Sequence, residues 1–230
     1  MFDEHFRIAA KMIDFTEPIS DARRLLLGSY FTMEYAIASA ALFNPSIVAH
    51  PNQEGVPNGG LRFVMSLRAT GEGHVSSIVF RTGVIERDRT VVFDPPQPFP
   101  RRARLSPDQF YHKGLFRRKL REMALNQQAV DLVMERLPDR FTILELEQAI
   151  AEAPKRTPDI VRMEETTEGI RWLARENYRL RLPTDADISQ IVIFPQSDNE
   201  ERGIEDLRMV RFTDDDGSVT YFGTYTAYNG

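Results

Sequence analysis

The chain has 230 residues, no cysteine, an apolar fraction of 42% and a formal net charge of −5. The missing thiols exclude disulfides, zinc–thiolate sites and cysteine nucleophiles. The acidic balance argues against a nucleic-acid partner, because phosphate contact needs surplus Lys and Arg.

No apolar run approaches the roughly 20 residues that cross a bilayer. Met1–Phe6 carries acids where a signal peptide has basic residues. A soluble cytoplasmic protein without membrane contact is expected. Phe2, Phe6, Ala9 and Ile13 recur with helical spacing. Ser20-Asp21 starts a second helix that Gly28 should stop. Met33 to Leu42 is ambiguous, its alanines favouring helix while it runs into an extended Phe43–Val48.

Strand patterns follow. Leu61 to Arg68 alternates apolar and polar residues as a half-buried strand does, Val75 to Phe80 is a second strand, and Val84–Glu86 with Thr90–Phe93 reads as a hairpin. Pro95, Pro96, Pro98 and Pro100 then close the sheet region. From Ser106 the period becomes helical. Ser106-Pro107 reads as a cap with Pro in the first turn, leading into Phe116, Leu120 and Met123. Val130, Val133 and Leu137 mark a second helix, and Thr142 with Glu145 forms a capping box before Ile143, Leu146 and Ile150. A fourth helix, from about Thr167 to Tyr178, carries Trp172, expected to bury with Ile170 and Leu173. Strands return at Gln190–Pro195, Leu207–Phe212 and Val219–Thr226, the last two joined through Asp214–Ser218.

Most chemical signals have plain readings. His5, His50, His74 and His112 lack ligand spacing, so no metal or other cofactor is expected. Gly71-Glu72-Gly73-His74 is a turn, since no helix follows to hold a phosphate. Asp214-Asp215-Asp216 lacks the alternation of a calcium loop. Arg101, Arg102, Arg104 and Arg117, Arg118, Lys119, Arg121 read as the wet face of a helix, with anion binding as the alternative.

Three segments carry a resemblance: Tyr35–Val48 with Phe43-Asn44-Pro45-Ser46, Ser66–Ser77 with Arg68, and Gly203-Ile204-Glu205-Asp206-Leu207-Arg208 followed by Gly223–Tyr228. In this order they resemble glycoside hydrolase family 130, inverting mannoside phosphorylases and hydrolases built on a five-bladed β-propeller. Asp206 matches the family's general acid. Leu207 stands where the family usually has Pro or Ala. Asn44, Ser46, Arg68, Glu205 and Arg208 match substrate-binding positions. Such an acid protonates the leaving oxygen of a β-mannoside. Phosphate, as a second substrate, attacks in a phosphorylase, and the groups that would hold it have no counterpart here. Phosphorolysis and hydrolysis therefore stay open, and a non-catalytic sugar-binding or interaction module derived from a propeller blade is the alternative.

The fold expected on this basis is mainly β with an α insertion. Residues 1–34 form a helical extension, 35–104 the first part of a propeller, 105–182 a helical insertion offering homo-oligomer contacts, and 183–230 the return to the propeller. A blade takes about four strands and 40–50 residues, so this chain should stop before the ring closes and be inactive by itself.

Overall fold

The structure is a computed structural model that describes residues 1–12, 18–32, 35–97, 99–153 and 160–230. Ile13, Met33 and Pro98 of the readings above lie outside them.

Helix α1 (Phe2–Ala9) packs on α2 (Asp21–Tyr30), whose first turn is capped by the Ser20 hydroxyl accepting from Arg23 N at 3.3 Å. Gly28 does not stop α2. A Cβ there would lie 1.9 Å from the Phe2 carbonyl oxygen, so glycine is what lets the two helices touch. The alanine-rich stretch resolves as turns, then strand β1 (Ala41–Ala49).

Strands β1, β2 (Leu61–Thr70), β3 (Ser76–Ile85) and β4 (Val91–Phe93) form an antiparallel meander. The proline run does not end the sheet, because β5 (Arg101–Arg102) adds to it at once. Next come β6 (Arg104–Leu105) and β7 (Tyr111–His112), then helix α3 (Lys113–Glu122). Ser106-Pro107 is not a helix start: Ser106 N donates to Arg179 O at 2.8 Å, and β7 pairs with β8 (Arg140–Phe141) before α3 can begin.

Helices α4 (Gln127–Met134), α5 (Ile143–Glu152) and α6 (Ile160–Glu176) complete the helical part. Thr142 and Glu145 form the reciprocal capping box of α5. These helices share one core around Phe116, Leu120, Val130, Phe141, Leu146 and Ile170. Trp172 stays 40% exposed, since Ile170, Leu173 and Ala174 take the inner face and position 172 points the other way. Ile143 is likewise exposed, one turn before the buried Leu146 and Ile150.

The chain returns through β9 (Leu180–Arg181), β10 (Ile191–Ile193) and a long hairpin, β11 (Gly203–Thr213) with β12 (Val219–Tyr228). The result is a mixed α/β fold with an eight-stranded mixed sheet, its central path running β1-β2-β3-β10-β5, and six helices among the described residues.

Strand β2 decides how this sheet is covered. Phe63, Met65, Leu67 and Ala69 face one core, and Val64 faces another shared with Ile78, Phe80 and Ile204. Its polar positions do not face water as alternation suggests. Ser66 is buried and donates to Leu207 O of β11 at 3.1 Å. The hairpin therefore lies over the polar side of β2. Gly203 starts it at φ +148, where a Cβ would meet Ser76 at 2.8 Å.

A buried carboxylate ties the hairpin to the end of α6. Glu200 accepts from Tyr178 OH at 2.8 Å, Tyr225 OH at 2.6 Å, and the backbone of Gln196 and Ser197 at 2.8 and 3.2 Å. Burial, then Glu200, pushes the Tyr225 phenol up to about 12, and the same two causes raise Tyr178. An unfolded tyrosine ionises near pH ~10. The raised phenols thus contribute stability that is complete below about pH 10 and lost as pH rises through about 12. In an alkaline titration, the last of the seven tyrosines should ionise together with loss of sheet circular dichroism. Ionisation of every tyrosine near pH ~10 with the sheet intact would contradict this.

Candidate functional site

The three segments singled out in the sequence meet at one place, and two β-bulges make the meeting. On β1 the register with β2 runs Phe43↔Arg68 and then Ser46↔Ser66, so β1 carries one extra residue. On β11 the register with β12 runs Glu205↔Thr226 and then Arg208↔Thr224, again one extra residue. The bulges hold Asn44 at φ +54 and Asp206 at φ +55. Left-handed backbone costs an ordinary side chain about 1–2 kcal/mol, and Asn and Asp are the residues that tolerate it. A bulge re-aims a side chain that would otherwise follow the pleat.

The re-aimed groups bond each other. Asn44 Nδ2 donates to Asp206 Oδ1. Arg68, on β2 beneath them, donates through Nη2 to Glu205 Oε1 and through Nε to Ser76 Oγ at 3.0 Å. Its Nη1 lies 3.7 Å from Asp206 Oδ1, and its guanidinium sits over the Phe43 ring, 4.9 Å from the centroid. Asn44, Arg68, Glu205 and Asp206 thus form one connected network.

Ser46 and Arg208 are near it in a different capacity. Ser46 Oγ accepts from Met209 N at 2.9 Å, and Arg208 Nη1 donates to Pro45 O at 2.8 Å. With Tyr221 OH on Ala49 O at 2.7 Å, these bonds stitch the hairpin along β1 and hold the two bulges face to face.

The two acids are not equivalent. The Glu205 side chain is 19% exposed and that of Asp206 40%. Glu205 Oε1 is shared between Arg68 and, at 3.4 Å, Ser76 Oγ. Asp206 has Oδ1 fixed by Asn44, while Oδ2 has no hydrogen-bond partner among the described residues. The arrangement suits a carboxyl group held at one oxygen and presented at the other.

Spacing alone misses Ser76 and Phe43. Ser76 becomes legible once the Gly71–Gly73 turn is read as a hairpin: Thr70 pairs with Ser76 and Arg68 with Ile78, which makes Arg68 and Ser76 diagonal neighbours on one face. Among the described residues, no group of three or more His, Cys, Asp or Glu could hold a metal, and no helix is long and apolar enough to cross a membrane. No protein-family model, curated protein or solved structure matches this chain.

Among the described residues, Arg68 alone lies within ion-pair distance of both acids of this network, so its loss should leave two neighbouring carboxylates uncompensated. Arg68→Met should lower urea-unfolding stability by about 1–3 kcal/mol. Glu205→Gln added to that variant should recover part of the loss. Stability within about 0.5 kcal/mol of the parent would show that the network holds nothing together.

Proposed function

We propose that Asp206 is the general acid of an inverting enzyme that cleaves β-mannosidic bonds, on a chain related to glycoside hydrolase family 130. The observation that carries this is the convergence of Asn44, Arg68, Glu205 and Asp206, from three distant segments that resemble that family, into one network. On this reading the β1–β2–β3 meander and the β11–β12 hairpin are the first blades of a five-bladed propeller, with the Asp206 bulge facing its channel.

The chemistry follows from the geometry. The free Oδ2 of Asp206 delivers its proton to the glycosidic oxygen as the bond to the anomeric carbon breaks, and the leaving sugar departs as the alcohol. Phosphate attacks that carbon from the opposite face to give the mannosyl phosphate, or water attacks there and releases a proton to solvent to give the free sugar, so the configuration inverts. Asp206 is left as the carboxylate and takes a proton from solvent for the next cycle. Glu205 is committed to Arg68 and Ser76, which suits orienting the network and the sugar hydroxyls better than carrying protons. Asn44 and Arg68 supply donors for a mannosyl unit and fix the acid. Phosphate is a co-substrate in the phosphorolytic version, and neither version needs a cofactor.

A second reading has support in the 40% exposure of Asp206: the same network on an open face suits a module that binds mannosides without cleaving them. One assay separates the two. In the full-length gene product, β-mannobiose should be cleaved with or without phosphate, and Asp206→Asn should reduce turnover about 10²–10⁴-fold. The loss should be smaller on an aryl mannoside whose leaving group needs no proton. Saturable mannobiose binding without turnover selects the binding module. Near-parental turnover of mannobiose by Asp206→Asn removes Asp206 as the acid.

A further inference from the structure

Of the basic residues expected on a helix face, Arg117, Arg118, Lys119 and Arg121 lie on α3, but Arg101, Arg102 and Arg104 do not. Arg101 and Arg102 form β5, Arg104 lies on β6, and Arg181 lies on β9. All four line one pocket of about 630 Å³, walled otherwise by proline and leucine. It shares no residue with the Asp206 network.

Two features of this pocket are costly for the protein on its own. Arg104 and Arg181 are direct partners in the β6–β9 ladder. Like charges opposed across a strand pair repel, and β-sheets usually avoid the arrangement. The chain as a whole is acidic, at −5, so the cluster does not follow from a general surplus of basic residues. The second feature is weak internal compensation. Asp185 accepts from Arg101 at 3.0 Å and Asp108 from Arg181 at 2.7 Å, but these acids are 71% and 69% exposed. Ion pairs so open to water contribute little. Arg102 rests over the Phe194 ring, 5.9 Å from its centroid, and Arg104 has no acidic partner among the described residues.

We infer that this pocket binds a phosphate group, either the free ion or a phosphomonoester of a small molecule. A guanidinium presents paired N–H donors that match oxyanion geometry, and several of them together accept a dianion that one exposed arginine would not hold. The bound dianion would screen Arg104 from Arg181. The pocket's size leaves room for a small organic group beside the phosphate.

The test uses the parent chain, Arg104→Gln and Arg102→Gln, with calorimetric titration and thermal unfolding at constant ionic strength. Inorganic phosphate and glycerol phosphate are the probes, chloride and acetate the controls, and heparin the polyanion. Phosphate should bind saturably and raise the melting temperature of the parent. Either substitution should weaken binding at least about tenfold, the loss expected for one charge-assisted contact. Without phosphate, Arg104→Gln should melt above the parent, because the opposed charges are gone. Tighter binding of glycerol phosphate assigns the site to a phosphomonoester, and tighter binding of inorganic phosphate assigns it to the free ion. Equal effects of phosphate, acetate and chloride would overturn the inference, as would unchanged phosphate affinity in both variants. Binding of heparin without binding of either phosphate probe would overturn it in favour of a polyanion surface.

Discussion

The amide of Asn44 donating to the carboxylate of Asp206 closes two β-bulges on each other, and the local architecture is arranged around that closure. Each bulge inserts one residue into its strand and places it in left-handed backbone. Neither conformation is favourable for a residue with a side chain. What holds them is the hairpin lying across β1 and β2, stitched by Ser66, Ser46, Arg208 and Tyr221 through bonds from side chain to backbone. Backbone strain that its surroundings over-determine is a mark of functional positions. Both strained residues here carry polar side chains, and these bond each other.

Placing Arg68 beneath two acids follows from the same closure. Bringing Glu205 and Asp206 out of one strand, side by side, concentrates negative charge over β2. A residue at position 68 turns toward β11, so a cation there can answer both acids. Phe43 covers its flat face and Ser76 its Nε. Arg68 is thereby immobilised, and a fixed cation orients carboxylates more sharply than a mobile one. Behind this polar face, Ile204 and Leu207 help line an apolar pocket of about 530 Å³ with Tyr178 and Tyr225 at its edge. The Glu200 cluster thus anchors the hairpin at the far side of the strand that carries the acids.

Much of this was readable in the residues. The β2–β3 and β11–β12 hairpins follow from their turns, and the capping box of α5 from Thr142 and Glu145. Other features depend on tertiary contacts that no local pattern encodes. Gly28 looks like a helix stop but is a point of contact with Phe2. Ser106-Pro107 looks like a cap, yet the Arg179 carbonyl takes the Ser106 amide. The alternation of β2 suggests a wet face, because the sequence near it says nothing of a hairpin arriving 141 residues later to cover Ser66. Asn44, Arg68 and Asp206 were legible through resemblance. The bulges that join them were not, since a bulge leaves no signature when its left-handed residue is Asn or Asp instead of Gly.

A double-mutant cycle on unfolding free energy measures the coupling of the two bulges through Asn44 and Asp206. Asn44→Gly and Asp206→Gly both keep the left-handed backbone, so the cycle isolates the side-chain bond. The two substitutions should be non-additive by about 0.5–3 kcal/mol, as residues in direct contact are. Additivity within about 0.3 kcal/mol would contradict this coupling, and would mean that the bulges form independently and that Asp206 is not held by Asn44.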